Sequence, residues 1–242
     1  MNPQTEIVHF EGQPIYMIGP MKQSLSILQL AHQQAGKERF ALLSGVPGLG
    51  KTLAAKYFQS LHSDTVAYLE MPARAMMTPG RFLQEVQRVL GLAEKTHLDR
   101  FTRAMQIVES LRSRPRTVIL DQALRACQTD YLDIIHWLHD NSPGRFIFID
   151  VPAIEGRLSI RPAMQSRFTI KFALAPAAKE ELEIMVAGMS EPCKALFFEA
   201  TGCRMRETVN LARLINQTKG GATGITTRQL GALIERFMMR AA

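Results

Sequence analysis

Apolar residues along this 242-residue chain fall in two patterns, short unbroken blocks and longer stretches with an apolar position every third or fourth residue. The blocks are Arg39–Ser44, Thr65–Glu70, the run within Arg116–Ala123 that ends at Asp121, Arg145–Asp150 and Phe168–Phe172. Their length and β-branched or aromatic content predict five buried strands. Between them lie stretches with helical periodicity. Pro20 to Ala35 is helix-rich, Leu53–Phe58 continues as a helix, Pro79-Gly80 opens a helix to about Leu90, and Asp130 to His139 forms another. Lys95 to Arg112 carries Leu98, Phe101, Met105, Val108 and Leu111 at helical spacing.

Strand and helix alternate up to about residue 174, which predicts an α/β unit with a parallel five-stranded sheet sandwiched by helices. From Pro176 onward the pattern is helical only. Ala177–Ala187, Glu191–Ala200, Arg206–Asn216 and Thr227–Ala241 are separated by Gly188, by Gly202 and by Gly220-Gly221. Leu230, Leu233, Ile234, Phe237 and Met238 make one apolar face of the last. The expected division is residues 1–174 for the sheet domain and 175–242 for a small all-helical lid.

Composition changes this picture little. A hydrophobic share of 46% and mean hydropathy of −0.04 are those of a soluble globular protein. No apolar run approaches the roughly 20 residues of a membrane span, and Met1–Glu6 lacks a secretory signal's basic start and apolar core. A cytoplasmic location without membrane association is expected. Cys127, Cys193 and Cys203 show no metal or disulfide spacing and read as inert thiols. Lys and Arg number 29 against 22 acids, a formal charge of +7 with a pI near 9.6. This balance suits a polyanionic partner such as nucleic acid, or simply solvation.

The chemistry concentrates at Gly45-Val46-Pro47-Gly48-Leu49-Gly50-Lys51-Thr52, which satisfies G-x-x-x-x-G-K-[ST] and lies between a predicted strand and the helix that starts at Leu53. The glycines let main-chain N–H groups and the helix N-terminus face phosphate oxygens. Lys51 is expected to reach the β- and γ-phosphates of ATP, with the Thr52 hydroxyl on Mg2+. Asp121, closing an apolar strand about seventy residues on, is the candidate magnesium-supporting acid. Gln122 follows where many such ATPases carry Glu as the general base. An amide holds a water but takes no proton, so ATP binding is expected to survive while turnover falls. A naturally slow, switch-like ATPase and a deliberate Glu→Gln change that traps the ATP state both account for it.

Loop, magnesium strand, a further strand ending in a polar residue and a helical C-terminal lid together resemble the AAA+ ATPases, across nearly the whole chain. The resemblance implies that Asp150 occupies the γ-phosphate-sensing position, although an acid is unusual there. It implies an arginine finger at Arg167, in Ser166-Arg167-Phe168, with Arg161 a second candidate; a guanidinium grips phosphate oxygens bidentately and is always charged. It also implies that Arg206, in Gly202-Cys203-Arg204-Met205-Arg206-Glu207, couples the lid to the γ-phosphate.

Within AAA+, Pro20-Met21-Lys22 to Ala35, Leu69-Glu70-Met71-Pro72 leading to Phe82–Val86, and the helix after Met205-Arg206 are similar to the DNA transposition ATPases, the group of the Mu transposition protein B, TnsC and IstB. That likeness implies a homo-oligomeric ring or filament on double-stranded DNA that selects targets and recruits or stimulates a transposase. DNA-backbone contacts are then expected from Arg74, Arg81, Lys95, Arg100 and Arg103, with Arg112 and Arg114 in the same basic region. An AAA+ module acting on proteins, such as a secretion ATPase or helicase loader, stays open. A small-molecule kinase fits less well, having little use for a trans arginine and a four-helix lid.

Overall fold

The computed structural model describes residues 7–34, 40–73, 78–93, 97–127, 129–218 and 220–241. In chain order the elements begin with β1 (Ile7–Phe10), β2 (Gln13–Tyr16), α1 (Gly19–Gln33), β3 (Phe40–Ser44), α2 (Lys51–Leu61) and β4 (Val66–Glu70). Next come α3 (Pro79–Val89), α4 (Arg100–Ser113), β5 (Thr117–Asp121), a 3-10 turn at Ala123–Ala126, α5 (Thr129–Asn141) and β6 (Arg145–Asp150). The rest are α6 (Ala153–Ser159), α7 (Pro162–Gln165), β7 (Phe168–Ala173), α8 (Lys179–Leu182), a 3-10 turn at Glu183–Val186, α9 (Glu191–Thr201), α10 (Met205–Asn216), α11 (Gly221–Gly224) and α12 (Thr227–Ala241).

Two compact units result. The sheet unit contains residues 23–47 and 51–174; the helical unit contains residues 1–22, 48–50 and 175–242. The N-terminal segment therefore groups with the C-terminal helices, because Ile18 is buried in their apolar core and Glu181 Oε1 accepts the Gly19 N–H at 3.0 Å.

In the sheet unit all five predicted strands form one parallel sheet in the order β4-β5-β6-β3-β7. Strands β3 and β5 are buried along their whole length, as continuous apolar runs in a parallel sheet require. Phe40, Phe146, Phe148 and Phe168 pack together, with Phe40 5.2 Å from Phe168 and 5.7 Å from Phe148 between ring centroids. Each such side chain contributes about 1.5–3 kcal/mol by burial.

Helix α4 starts at Arg100, later than the predicted Lys95, because the Asp99 carboxylate accepts the Thr102 N–H at 2.9 Å and caps it there. Predicted positions Arg39, Arg74 and Lys95 lie outside the described residues.

In the helical unit, Leu182, Val186, Phe197, Leu211, Ile215 and Leu230 form a separate core. The predicted helix Ala177–Ala187 is shorter, tightening into the 3-10 turn before Gly188 at φ 88°. The β1–β2 hairpin was not foreseen. Its two-residue turn, Glu11-Gly12, is left-handed at both positions, φ 51° and 72°, and its strands are only four residues long. Among the described residues no helix is long and apolar enough to cross a membrane.

Candidate nucleotide site

The loop between β3 and α2 is anchored from beneath. Ser44, the last residue of β3, is fully buried and its hydroxyl donates to Glu155 Oε1 at 2.9 Å. The Gly45 N–H donates to the Asp150 carbonyl at 3.1 Å, tying the loop to the end of β6. Gly48 and Gly50 take φ of 91° and 84°, a left-handed backbone that other residues adopt at a cost. Lys51 opens α2 and curls over the loop, its Nζ donating to the carbonyls of Gly45 at 2.6 Å and Val46 at 2.9 Å. Thr52 and Leu53 continue α2, with Thr52 exposed and Leu53 partly so.

Asp121 closes β5 and is 3% exposed. Its Oδ2 accepts the Tyr68 hydroxyl at 2.8 Å, and its Oδ1 accepts the Gln122 N–H at 2.9 Å. Burial pushes the Tyr68 hydroxyl pKa well up, and the negative Asp121, their hydrogen bond and Glu70 add to it, so Tyr68 stays a proton donor to the carboxylate. Gln122 is left-handed, φ 56° and ψ 41°, and its Nε2 donates to Glu70 Oε1 at 2.6 Å.

Asp150 has both carboxylate oxygens on main-chain donors, Oδ2 on the Leu124 N–H at 2.5 Å and Oδ1 on the Val151 N–H at 2.6 Å. It thus pins the turn that follows Gln122. Behind that turn, burial pushes the Cys127 thiol up to about 12, helped by the Asp150 charge and opposed by Arg157.

The arginine candidates are held by α5. Arg167 grips Asp140 bidentately, Nε to Oδ1 at 3.1 Å and Nη2 to Oδ2 at 3.0 Å, and donates to the Ala163 carbonyl at 2.7 Å. Arg161 Nη1 pairs with Asp133 at 3.1 Å. Burial alone would raise the Asp140 carboxyl, but the His139 hydrogen bond, His136 and Arg167 together hold it below the usual carboxylate range. Arg206 stands in the first turn of α10; a Cβ built on Gly48, in the same unit, would lie 3.0 Å from Arg206 Cβ.

The proposed DNA contacts separate. Arg81 is exposed and pairs with Glu85 at 2.8 Å, while Arg100 is exposed at the start of α4. Arg103 is 8% exposed and donates to Gln87 Oε1 at 2.9 Å and to the Leu98 carbonyl at 3.3 Å. Its guanidinium therefore joins α4 to α3 and is no surface contact, since the helical turn that follows Asp99 directs it inward. Arg112 donates to the Asn141 carbonyl and Arg114 faces Asp64 at 3.6 Å.

Sequence reasoning missed Tyr68, Glu70, Asp140 and Glu155 as parts of this neighbourhood. Glu70 carries the same signal that singled out Asp121, an acid closing an apolar strand, and the other three show none. A magnesium ion takes hard oxygen ligands and keeps waters, so the Thr52 hydroxyl and the Asp121 carboxylate are donors of the right kind. Among the described residues no group of three or more His, Cys, Asp or Glu is placed to hold a metal by itself.

A parallel sheet with a glycine loop, lysine and threonine after one central strand and an acid closing another defines a phosphate-loop nucleotide-binding protein of AAA+ type. The chain belongs to the AAA domain family, which matches residues 33–158, more than half of its length. No curated protein matches it. Among solved structures it is similar to the Aeropyrum pernix ORC2 protein in ADPNP–ADP complexes, with TM-score 0.64, 13% identity, and 90% of this chain and 65% of that one covered. It is also similar to the A. pernix ORC1 protein in complex with DNA, with TM-score 0.60, 15% identity, and 90% and 64% covered. A third similar structure is the Thermotoga maritima RuvB Holliday junction branch migration motor, with TM-score 0.56, 18% identity, and 90% and 70% covered. At these identities the likeness is one of fold, and the chain spans less than two thirds of either ORC protein. AAA+ proteins in general use ATP or ADP with magnesium and hydrolyse the triphosphate.

Proposed function

We propose that this chain is an ATP-switched protein that assembles on double-stranded DNA, with ATP held between neighbouring copies and hydrolysis dismantling the assembly. The observation that carries the reading is the anchored loop, with Lys51 over its carbonyls. Lys51 and the loop N–H groups bind the phosphates; Thr52 and Asp121 hold the magnesium ion, which neutralises charge on the phosphate oxygens when bound. Arg167, paired with Asp140 of α5 as Arg161 is with Asp133, reaches a neighbour's ATP, while Arg206 and Asp150 respond to the γ-phosphate. Asp140 presents Arg167 in a fixed orientation for that task. Gln122 takes no proton, so hydrolysis is slow unless another carboxylate supplies the base.

DNA binding is supported by the +7 charge, by exposed Arg81 and Arg100, and by the DNA named for the ORC1 relative. Contacts to phosphates are sequence-neutral and weaken with salt. A role in transposition, with target selection and transposase recruitment, rests on the sequence likeness around Pro20–Ala35, Leu69–Pro72, Phe82–Val86 and Met205-Arg206 alone. Mobility shift on random duplex DNA with ATP, with ADP and without nucleotide tests the switch. Retention with ATP only is expected; equal retention in all three conditions contradicts it.

One observation favours an AAA+ module that works on proteins. A groove of about 410 Å³ among α3, α4 and α5 is lined by Leu83, Phe101, Ala104, Ile134 and Trp137, and Phe101 is 66% exposed. Apolar aromatic surface of this kind suits a protein partner better than a phosphate backbone. On that reading DNA leaves both assembly and phosphate release unchanged.

A further inference from the structure

Strands β4 and β5 are parallel neighbours, and Glu70 pairs in register with Asp121, so both carboxylates stand at the same level on the carboxyl edge of the sheet. Ligands of open α/β sheets bind outside that edge. Tyr68, two residues before Glu70 and so on the same face of β4, donates to Asp121. Glu70 is exposed, and its Oε1 accepts the Gln122 amide at 2.6 Å. Gln122 makes this bond from a left-handed backbone, unusual for a residue with a side chain. A glutamate at 122 would set two carboxylates against each other at that distance. Amide and carboxylate are complementary, and the pair places a carboxyl group beside Asp121, displaced by one strand from residue 122.

We propose that Glu70 is the general base of ATP hydrolysis in this chain, with Gln122 as the positioning residue that fixes its carboxylate. The proposal rests on the reading of the chain as an ATPase. In the step, a water oxygen forms a bond to the γ-phosphorus while the bond from that phosphorus to the β,γ-bridging oxygen breaks. The electron pair of the broken bond leaves with ADP. One water proton passes to the Glu70 carboxylate and the other stays on the inorganic phosphate; Glu70 then returns its proton to solvent, to which it is exposed. Asp121 would hold the metal, its Oδ2 fixed by the Tyr68 hydroxyl.

The test measures binding of a fluorescent ATP and release of phosphate for the full chain, for Glu70→Gln and for the exchange Glu70→Gln with Gln122→Glu. Glu70→Gln is expected to bind ATP as the native chain does and to lose about 10²- to 10⁴-fold in phosphate release. The exchange returns a carboxylate to the pair and is expected to recover at least about tenfold of that loss, which a merely structural contact would not do. Native turnover in Glu70→Gln overturns the proposal, and so does a native chain that binds ATP and releases no phosphate. A native chain that binds no ATP instead defeats the nucleotide reading, and the proposal with it.

Discussion

Within the sheet unit, the carboxyl edge of the strands and the face of α3 and α4 both carry the polar residues that the sequence singles out, and the two hold them differently. At the edge, Lys51 opens α2, Asp121 and Asp150 close β5 and β6, and Gln122 follows β5 in the turn, each tied to nearby main chain or to a side chain of the neighbouring strand. On the helices, arginines close together in sequence part company. Arg81 and Arg100 face outward, and Arg103 turns inward to Gln87. Chemistry built by a loop of fixed length is set by local backbone geometry. A charged surface is sorted by packing, which sequence proximity does not encode.

The largest effect that would sharpen this comparison is at Lys51. Lys51→Ala is expected to weaken ATP binding by on the order of 100-fold, the worth of a charge-assisted bond to phosphate, in a fluorescent-ATP titration. Binding as tight as the native chain's would break the edge half of the comparison.

Next comes a crossed pair on the helices. Arg103→Ala leaves Gln87 Oε1 without its guanidinium donor and is expected to cost about 1–3 kcal/mol in denaturant unfolding. Arg100→Ala is expected to leave stability within about 0.5 kcal/mol while lowering DNA affinity and reducing the slope of log K against log salt by about 1. If Arg103→Ala unfolds like the native chain, the sorting of cations described above is wrong.

Acid should act through His32, which touches Thr117 Oγ1 at 2.8 Å through Nδ1. Burial lowers its pKa, and His62 and Arg145 lower it further. The unfolded chain then binds more protons, so this contribution to stability is complete above about pH 6.5 and declines as pH falls below it, levelling off past the folded value. Thermal melts of His32→Gln are expected to lose less stability between neutral and acid pH than the native chain; equal losses contradict the assignment. The smallest effect is at Cys127, which at a pKa of about 12 carries almost no thiolate at pH 8. A thiol reagent is expected to leave it unlabelled until the chain is unfolded.

Much of the fold was legible because buried parallel strands read as unbroken apolar blocks, and all five fell where the blocks predicted. The loop was legible because its glycines and lysine have one arrangement that works. The β1–β2 hairpin escaped notice because four-residue strands are too short to show alternation. Tyr68 escaped because its importance lies in the strand beside it, and Glu70, though it closes an apolar strand as Asp121 does, meets Gln122 only through the register between β4 and β5, a tertiary fact. Asp140 was hidden for the same reason, since only packing brings α5 to Arg167.

The claim on which all of this stands is that a triphosphate with magnesium binds where Lys51 crosses the loop beside Asp121. Titration calorimetry of ATP with magnesium into the folded chain measures it directly. Saturable heat at one nucleotide per chain, with affinity strongly reduced in Lys51→Ala, is the predicted result; no heat from folded native protein would contradict the account.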